Sequence, residues 1–129
     1  MRAPGWPLLL VPLAVWGGVA GEGSGVQELP DGVTAAWVAR GDTVFHGAGF
    51  CFTCHGADAK GIPGLGSDLT DARWRHGDGS YGALRTVIAA GVPAERSGSG
   101  VPMPPRGGAR LTDAQVGAVA AYVWVLSHR

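Results

Sequence analysis

The residues with the most chemical content stand within five positions of one another, in Cys51-Phe52-Thr53-Cys54-His55. Two thiols separated by two residues and followed at once by an imidazole form the C-x-x-C-H spacing, which fits covalent attachment of a c-type haem. Each thiol can add across one vinyl group of the macrocycle. The two intervening residues set both sulfurs on one side of the ring, and the adjoining imidazole reaches the iron from beneath. Three other uses of these atoms are open. A thioredoxin-like dithiol needs a βαβ setting, which the rest of the chain lacks. A zinc site would draw on Cys51, Cys54 and two of His46, His55, His76 and His128, but no second C-x-x-C and no H-x-x-x-H completes a usual spacing. A disulfide between Cys51 and Cys54 closes too small a loop to stabilise much. Haem attachment is the reading these residues favour.

An iron that only exchanges electrons needs a second axial ligand beside His55. Met103 is the leading candidate, the sole methionine after Met1, in Val101-Pro102-Met103-Pro104-Pro105. Its thioether is a soft, weak ligand, and the flanking prolines restrict the loop that carries it. His76 and His46 compete for the same role, whereas His128 reads as a surface residue at the C-terminus. Trp74, in Asp71-Ala72-Arg73-Trp74-Arg75, could offer its indole N–H to haem propionates together with the neighbouring guanidinium groups, or simply pack. Trp37 and Trp124 read as helix-packing residues.

The rest of the chain must position these groups with limited means. It has 129 residues, 10 basic against 10 acidic, so one small domain is expected and no basic excess is available to neutralise a nucleic acid. Gly 23 and Pro 9 make a quarter of the sequence, yet 46% hydrophobic content argues against disorder. A core so rich in glycine calls for an anchor such as a cofactor. At the start, Arg2 precedes an apolar stretch from Trp6 to Ala20 and then a small polar run. Residues 1–20 read as a secretory signal peptide, shorter than the roughly 20 apolar residues of a membrane span and interrupted by Pro12. An uncleaved N-terminal anchor is the other reading. In both, the domain lies outside the cytoplasm, in the periplasm or an equivalent compartment.

Residues 21–32 read as a linker ending in the turn signal Pro30-Asp31-Gly32, and residues 33–129 as the domain. From Thr34 the pattern becomes helical, with Trp37, Gly41, Val44, Phe45 and Ala48 on one face and Gly47 as a stop. Residues 56–80 carry many glycines and no period, as an irregular wrap would. Ser80 can cap a short helix that buries Tyr81, Leu84, Val87 and Ile88 and ends at Gly91 and Pro93. After a proline-rich loop, Thr112 and Gln115 have the spacing of a capping box, and Val116, Val119, Val123 and Leu126 mark a terminal amphipathic helix. The expected fold is all-α, with three to four helices and long loops around one haem.

With these elements in place, Cys51 to His55, Gly61-Ile62-Pro63-Gly64-Leu65 and Met103-Pro104-Pro105 resemble class I c-type cytochromes, as do Gly41, Phe45 and Tyr122. The resemblance spans residues 33 to 127. Leu69-Thr70-Asp71 and Gly107 to Thr112 are similar to bacterial single-haem domains that feed or form part of respiratory oxidases and dehydrogenases. It implies a small cytochrome c fold with one haem c on Cys51 and Cys54, and iron between His55 and Met103. It implies a close crossing of first and last helices at Gly41 and Tyr122. It also implies a loop proline carbonyl that accepts a hydrogen bond from the haem histidine; Pro63 matches best. The lysine ring common at the haem edge is absent, Lys60 being the only lysine. The implied function is single-electron transfer between redox protein partners, a dehydrogenase donor and an oxidase or reductase acceptor, with no chemistry of its own. An accessory haem subunit of a larger complex and a haem sensor or enzyme with a displaceable sixth ligand are the alternatives.

Overall fold

The computed structural model describes residues 27–129, with Gly5, Pro7, Gly17 and Gly18 as isolated positions before them. The signal-peptide reading of residues 1–20 and the first half of the linker, residues 21–26, therefore lie outside the described residues. Four helices follow: α1 (Ala35–His46), the single turn α2 (Phe52–His55), α3 (Tyr81–Ala90) and α4 (Asp113–Ser127). Two 3₁₀ turns, Ala94–Arg96 and Pro105–Gly108, lie between α3 and α4. Among the described residues the only β pairing is two isolated bridges, Ile62 with Gly66 and Val92 with Met103. The fold is all-α.

The helix starts are set by side-chain caps at the residues the sequence marks. The Thr34 hydroxyl accepts from the Trp37 N–H at 3.1 Å, and the Ser80 hydroxyl accepts from the Ala83 N–H at 3.2 Å. Thr112 and Gln115 satisfy each other's backbone N–H groups, at 2.9 and 3.1 Å, as a capping box. The turn at Pro30–Gly32 also forms, the Val33 N–H donating to the Pro30 carbonyl at 2.9 Å. α1 ends at Gly47, so Ala48 falls past the helix and is exposed instead of sharing its face.

α4 differs from the amphipathic helix its spacing suggests. Val116 through Ala121 are all buried, as are Val123 and Leu126. A helix apolar on every side is a buried helix, and this one packs against both α1 and α3. Glycine permits the tightest contact. A side chain at Gly41 would overlap the Ala118 carbonyl and the Tyr122 Cβ, so α1 crosses α4 nearly backbone to backbone. The core between the helices centres on Phe45 and Val119, both fully buried.

Candidate functional site

α2 places the attachment motif. The Phe50 carbonyl accepts from both the Thr53 N–H at 3.1 Å and the Thr53 hydroxyl at 2.6 Å, which tightens the entry to the turn. Phe50 makes this contact from a left-handed conformation, φ +53°, that a bulky aromatic rarely adopts. Cys51 and Cys54 both carry free thiols. Burial pushes the Cys51 thiol up to about 11, so it is protonated at neutral pH.

The segment after α2 then folds back on it. The Gly61 N–H donates to the His55 carbonyl at 2.7 Å, and the Leu69 N–H donates to the carbonyl of fully buried Ala59 at 2.8 Å. Gly66 lies so close that a Cβ there would overlap the Cys54 carbonyl. This return brings the Ser67 carbonyl to 2.8 Å from His55 Nδ1. A carbonyl can only accept, so Nδ1 carries the proton and Nε2 keeps its lone pair.

Ser67 thus takes the role expected of Pro63. The Ile62–Gly66 bridge turns Pro63 and Gly64 outward, where both are exposed, and Pro63 does not reach the cavity. The register of the loop, which no periodicity encodes, decides which carbonyl meets the ring.

A second wall carries Met103. Its N–H donates to the Val92 carbonyl at 2.9 Å and its carbonyl accepts from the Val92 N–H at 2.8 Å. This pair ties the proline loop to the end of α3, where Gly91 (φ +72°) has no room for a side chain beside the Met103 carbonyl. Below Met103 the 3₁₀ turn is fastened by Arg106, which donates to the Leu111 carbonyl at 2.6 Å and pairs with Asp113 at 2.5 Å. That guanidinium holds the Asp113 carboxyl below the usual range.

Between the walls lies a cavity of about 580 Å³, within the ~300–1,000 Å³ range of cofactor and ligand sites. Cys51, Cys54, His55 and Met103 all line it, together with the apolar side chains Phe45, Leu84 and Val119. Trp74 lines it too, in a rim with Arg73, Arg75 and His76. Gly79 (φ +78°) lies directly against the Trp74 indole, where any side chain would overlap the ring. The residues present therefore suit a macrocycle with an apolar body, carboxylate edges, two thiol anchors and a central metal. His46 does not share the cavity; its ring nitrogens lie against Asp42 and Ala57. Among the described residues no three His, Cys, Asp or Glu side chains converge as a metal cluster.

Two residues at the mouth were not legible from spacing. Phe50, 58% exposed, and Val101, 38% exposed, are large hydrophobics left in solvent, and both border the cavity. Their apolar character is visible in the sequence, but what exposes them is the loop geometry. The Ser67 carbonyl was equally hidden, because a backbone acceptor leaves no residue-type signal.

A small helical domain that encloses one apolar cavity beside a C-x-x-C-H turn is a haem-binding domain. The chain belongs to the cytochrome c family, whose pattern matches residues 38–127. The family's cofactor is covalently bound haem c, and Cys51 to His55 carry the attachment spacing. Over 90 residues it is 39% identical to the Cbb3-type cytochrome c oxidase subunit CcoP of Cereibacter sphaeroides, covering 69% of this chain and 27% of that protein. The CcoP subunit of Rubrivivax gelatinosus is 40% identical over 90 residues, 70% of this chain and 26% of its own length. The chain thus spans about a quarter of the length of these relatives. Among solved structures, cytochrome CL of Methylophaga aminisulfidivorans shares the fold with a TM-score of 0.54 at 23% identity, over 70% of this chain and 53% of that one. A chain of the reducing HAO-like protein complex of Kuenenia stuttgartiensis does so with a TM-score of 0.55 at 20% identity, over 73% and 45%.

Proposed function

We propose that this chain is a single-electron carrier and not an enzyme, working between respiratory redox proteins outside the cytoplasm. Residues 1–20 would direct export as a signal peptide, or stay as an anchor, and residues 33–129 would form the working domain. Among the described residues no helix is long and apolar enough to cross a membrane.

Cys51 and Cys54 would hold haem c through thioether bonds, with His55 and Met103 as axial ligands. Bound there, haem c supplies a one-electron couple at its iron. The observation that carries this reading is the 2.8 Å contact of His55 Nδ1 with the Ser67 carbonyl, in a cavity that Met103 also lines. The contact fixes the imidazole plane, aims the lone pair of Nε2 inward and raises its basicity. Met103, held at N–H and carbonyl by Val92, would fill the remaining position and leave no site for a substrate. His76 lines the cavity as well, but its turn lacks any such clasp onto α3. The Arg73 and Arg75 guanidinium groups would neutralise the carboxylate edges, to which the Trp74 N–H would donate a hydrogen bond. At the mouth, Phe50 and Val101 offer an apolar contact through which a partner could exclude water during electron exchange.

A second reading, a haem domain that works inside an oxidase or dehydrogenase complex, is favoured by the likeness to CcoP oxidase subunits. A redox titration of the purified holoprotein, followed optically, tests the proposal. It should give one reversible one-electron wave, a sulfur-to-iron charge-transfer absorption when oxidised, and no binding of carbon monoxide when reduced. Rapid carbon monoxide binding at neutral pH would overturn the carrier reading in favour of a sensor or enzyme. Loss of reversible exchange outside an assembly would favour the subunit reading.

A further inference from the structure

His46, near the end of α1 and outside the cavity, uses both ring nitrogens at once. Nδ1 lies 2.7 Å from the Asp42 carboxylate and 3.1 Å from the Asp42 carbonyl, while Nε2 lies 2.7 Å from the Ala57 carbonyl. Every one of these partners can only accept while Asp42 is ionised. A neutral imidazole has one N–H to give, and this geometry asks for two. His46 is therefore placed as an imidazolium.

The elements packed around it sharpen the point. Its own helix presents Asp42. From the attachment turn comes Phe52, the residue just after Cys51, stacked on the imidazole at 6.3 Å and 18°. α4 presents the Tyr122 ring edge-on at 6.1 Å, with Arg129 just beyond the helix. The segment after α2 carries Asp58, whose carboxylate accepts from the Lys60 backbone N–H at 3.1 Å, and the Lys60 ammonium. Asp42 is the anion that reaches the ring.

We propose that His46 is a positioning residue for the haem-attachment segment, a protonated strut between α1 and the backbone just past His55, through which a proton is linked to redox state. The proposal rests on the carrier reading. Losing the proton breaks the bond to Asp42 or the bond to Ala57, and removes one positive charge from the flank of Phe52–Ala57. Oxidation adds one positive charge to the site, so the imidazolium favours the reduced protein. When the oxidised form is made, the electron leaves to the redox partner and, near the His46 titration, part of a proton leaves Nδ1 or Nε2 to water. The midpoint potential then falls as pH rises through that titration. By reciprocity, His46 loses its proton at lower pH in the oxidised protein. The Ala57 carbonyl raises the His46 pKa above its ordinary 6.5; burial opposes this, and the Asp42 carbonyl and carboxylate add to the rise, which sets the window at and above that value.

The test is the midpoint potential of the holoprotein as a function of pH, in the native chain and in His46→Gln, with the His46 ring followed by NMR in both redox states. The native potential should fall with rising pH across the His46 titration, the variant should be flatter over that window, and the ring should titrate at lower pH when oxidised. Superimposable pH profiles, or one His46 titration common to both states, would overturn the strut. If His46→Gln does not fold, the NMR comparison on the native protein decides alone. Covalent haem content, measured separately as the pyridine haemochrome, reports on the carrier reading: its absence defeats that reading, while intact haem with a pH-flat potential defeats only the strut.

Discussion

The two walls of the cavity are built by opposite strategies. The attachment wall, residues 50–69, is tied mostly to itself, by bonds such as Gly61 to His55 and Leu69 to Ala59, with outward ties from His46 to the Ala57 carbonyl and from the Ser99 hydroxyl to the Leu65 carbonyl. The Met103 wall is tied to the helices, clasped by Val92 just past α3 and fastened below by Arg106 to Leu111 and to Asp113 at the start of α4. The wall that presents the Met103 thioether borrows its rigidity from the helices it is tied to. The comparison teaches that the first wall should fail by losing the cofactor and the second by losing the ligand.

The largest expected effect tests the first half. Replacing Cys51 and Cys54 together by Ser should leave a chain with no covalent haem and no cooperative thermal transition, because the macrocycle would fill the cavity that a glycine-rich core cannot close. Either single replacement should weaken haem retention. A haem-free chain that melts like the holoprotein would show that the walls stand without the cofactor.

On the other wall, Met103→Ala should keep the haem but open a coordination position. The potential should fall by on the order of 0.1 V, within the ~0.8 V span that axial ligands set. The reduced protein should begin to bind carbon monoxide, and the sulfur-to-iron absorption should vanish. Met103→His is expected to stay six-coordinate at a lower potential, separating ligand identity from an open site. An unchanged spectrum and potential in Met103→Ala would move the role to His76, the other imidazole lining the cavity.

Much of this division was legible in the sequence where residue type carries the information. Thr34, Ser80 and Thr112 announce their helices because a cap is a side-chain function. Cys51, Cys54 and His55 announce attachment because thiol chemistry needs that spacing, and Met103 stands out by scarcity. Pro63 failed because its supposed role belongs to a backbone carbonyl, which any residue owns, and only the Ile62–Gly66 bridge determines that Ser67 arrives instead. Phe50 reads as an ordinary aromatic until its positive φ and its place at the mouth are seen. The clasp of His46 on Ala57 spans eleven residues of aperiodic chain, which no pattern of spacing reveals.

Glycine substitutions sharpen the comparison at a middle scale. Gly41→Val should destabilise the whole domain by about 1–3 kcal/mol, because the branched side chain would meet the Ala118 carbonyl and push α1 off α4. Gly91→Ala should act on one wall, since its positive φ and the Met103 carbonyl both oppose a side chain. Its expected signature is weakened sulfur-to-iron absorption with haem content unchanged. Thermal melting and optical spectra of both variants check this; if Gly91→Ala loses haem while keeping Met ligation, the assignment of the two walls is reversed.

The smallest effect concerns the acid edge of the attachment wall. Asp68, next to Ser67 and lining the cavity, accepts from the Thr70 hydroxyl at 2.6 Å and the Thr70 N–H at 2.7 Å. These two bonds hold its carboxyl below the usual aspartate range. A carboxylate whose pKa is lower folded than unfolded contributes stability above its unfolded value and loses it as pH falls through the folded one. Thr70→Val removes the hydroxyl donor, so acid unfolding should begin at slightly higher pH, while stability at neutral pH changes little for a half-buried ion at the cavity edge. Because Ser67 is the neighbour that orients His55, the same variant should expose the His55 Nδ1–H to solvent exchange earlier in an acid titration than the native protein does. The Met103 wall, which shares none of these bonds, should respond to acid identically in both proteins. An acid titration followed by NMR and by the sulfur-to-iron absorption separates the two walls, and coincident acid midpoints for His55 Nδ1–H exchange in native and variant chains would mean that Asp68 lends the attachment wall nothing.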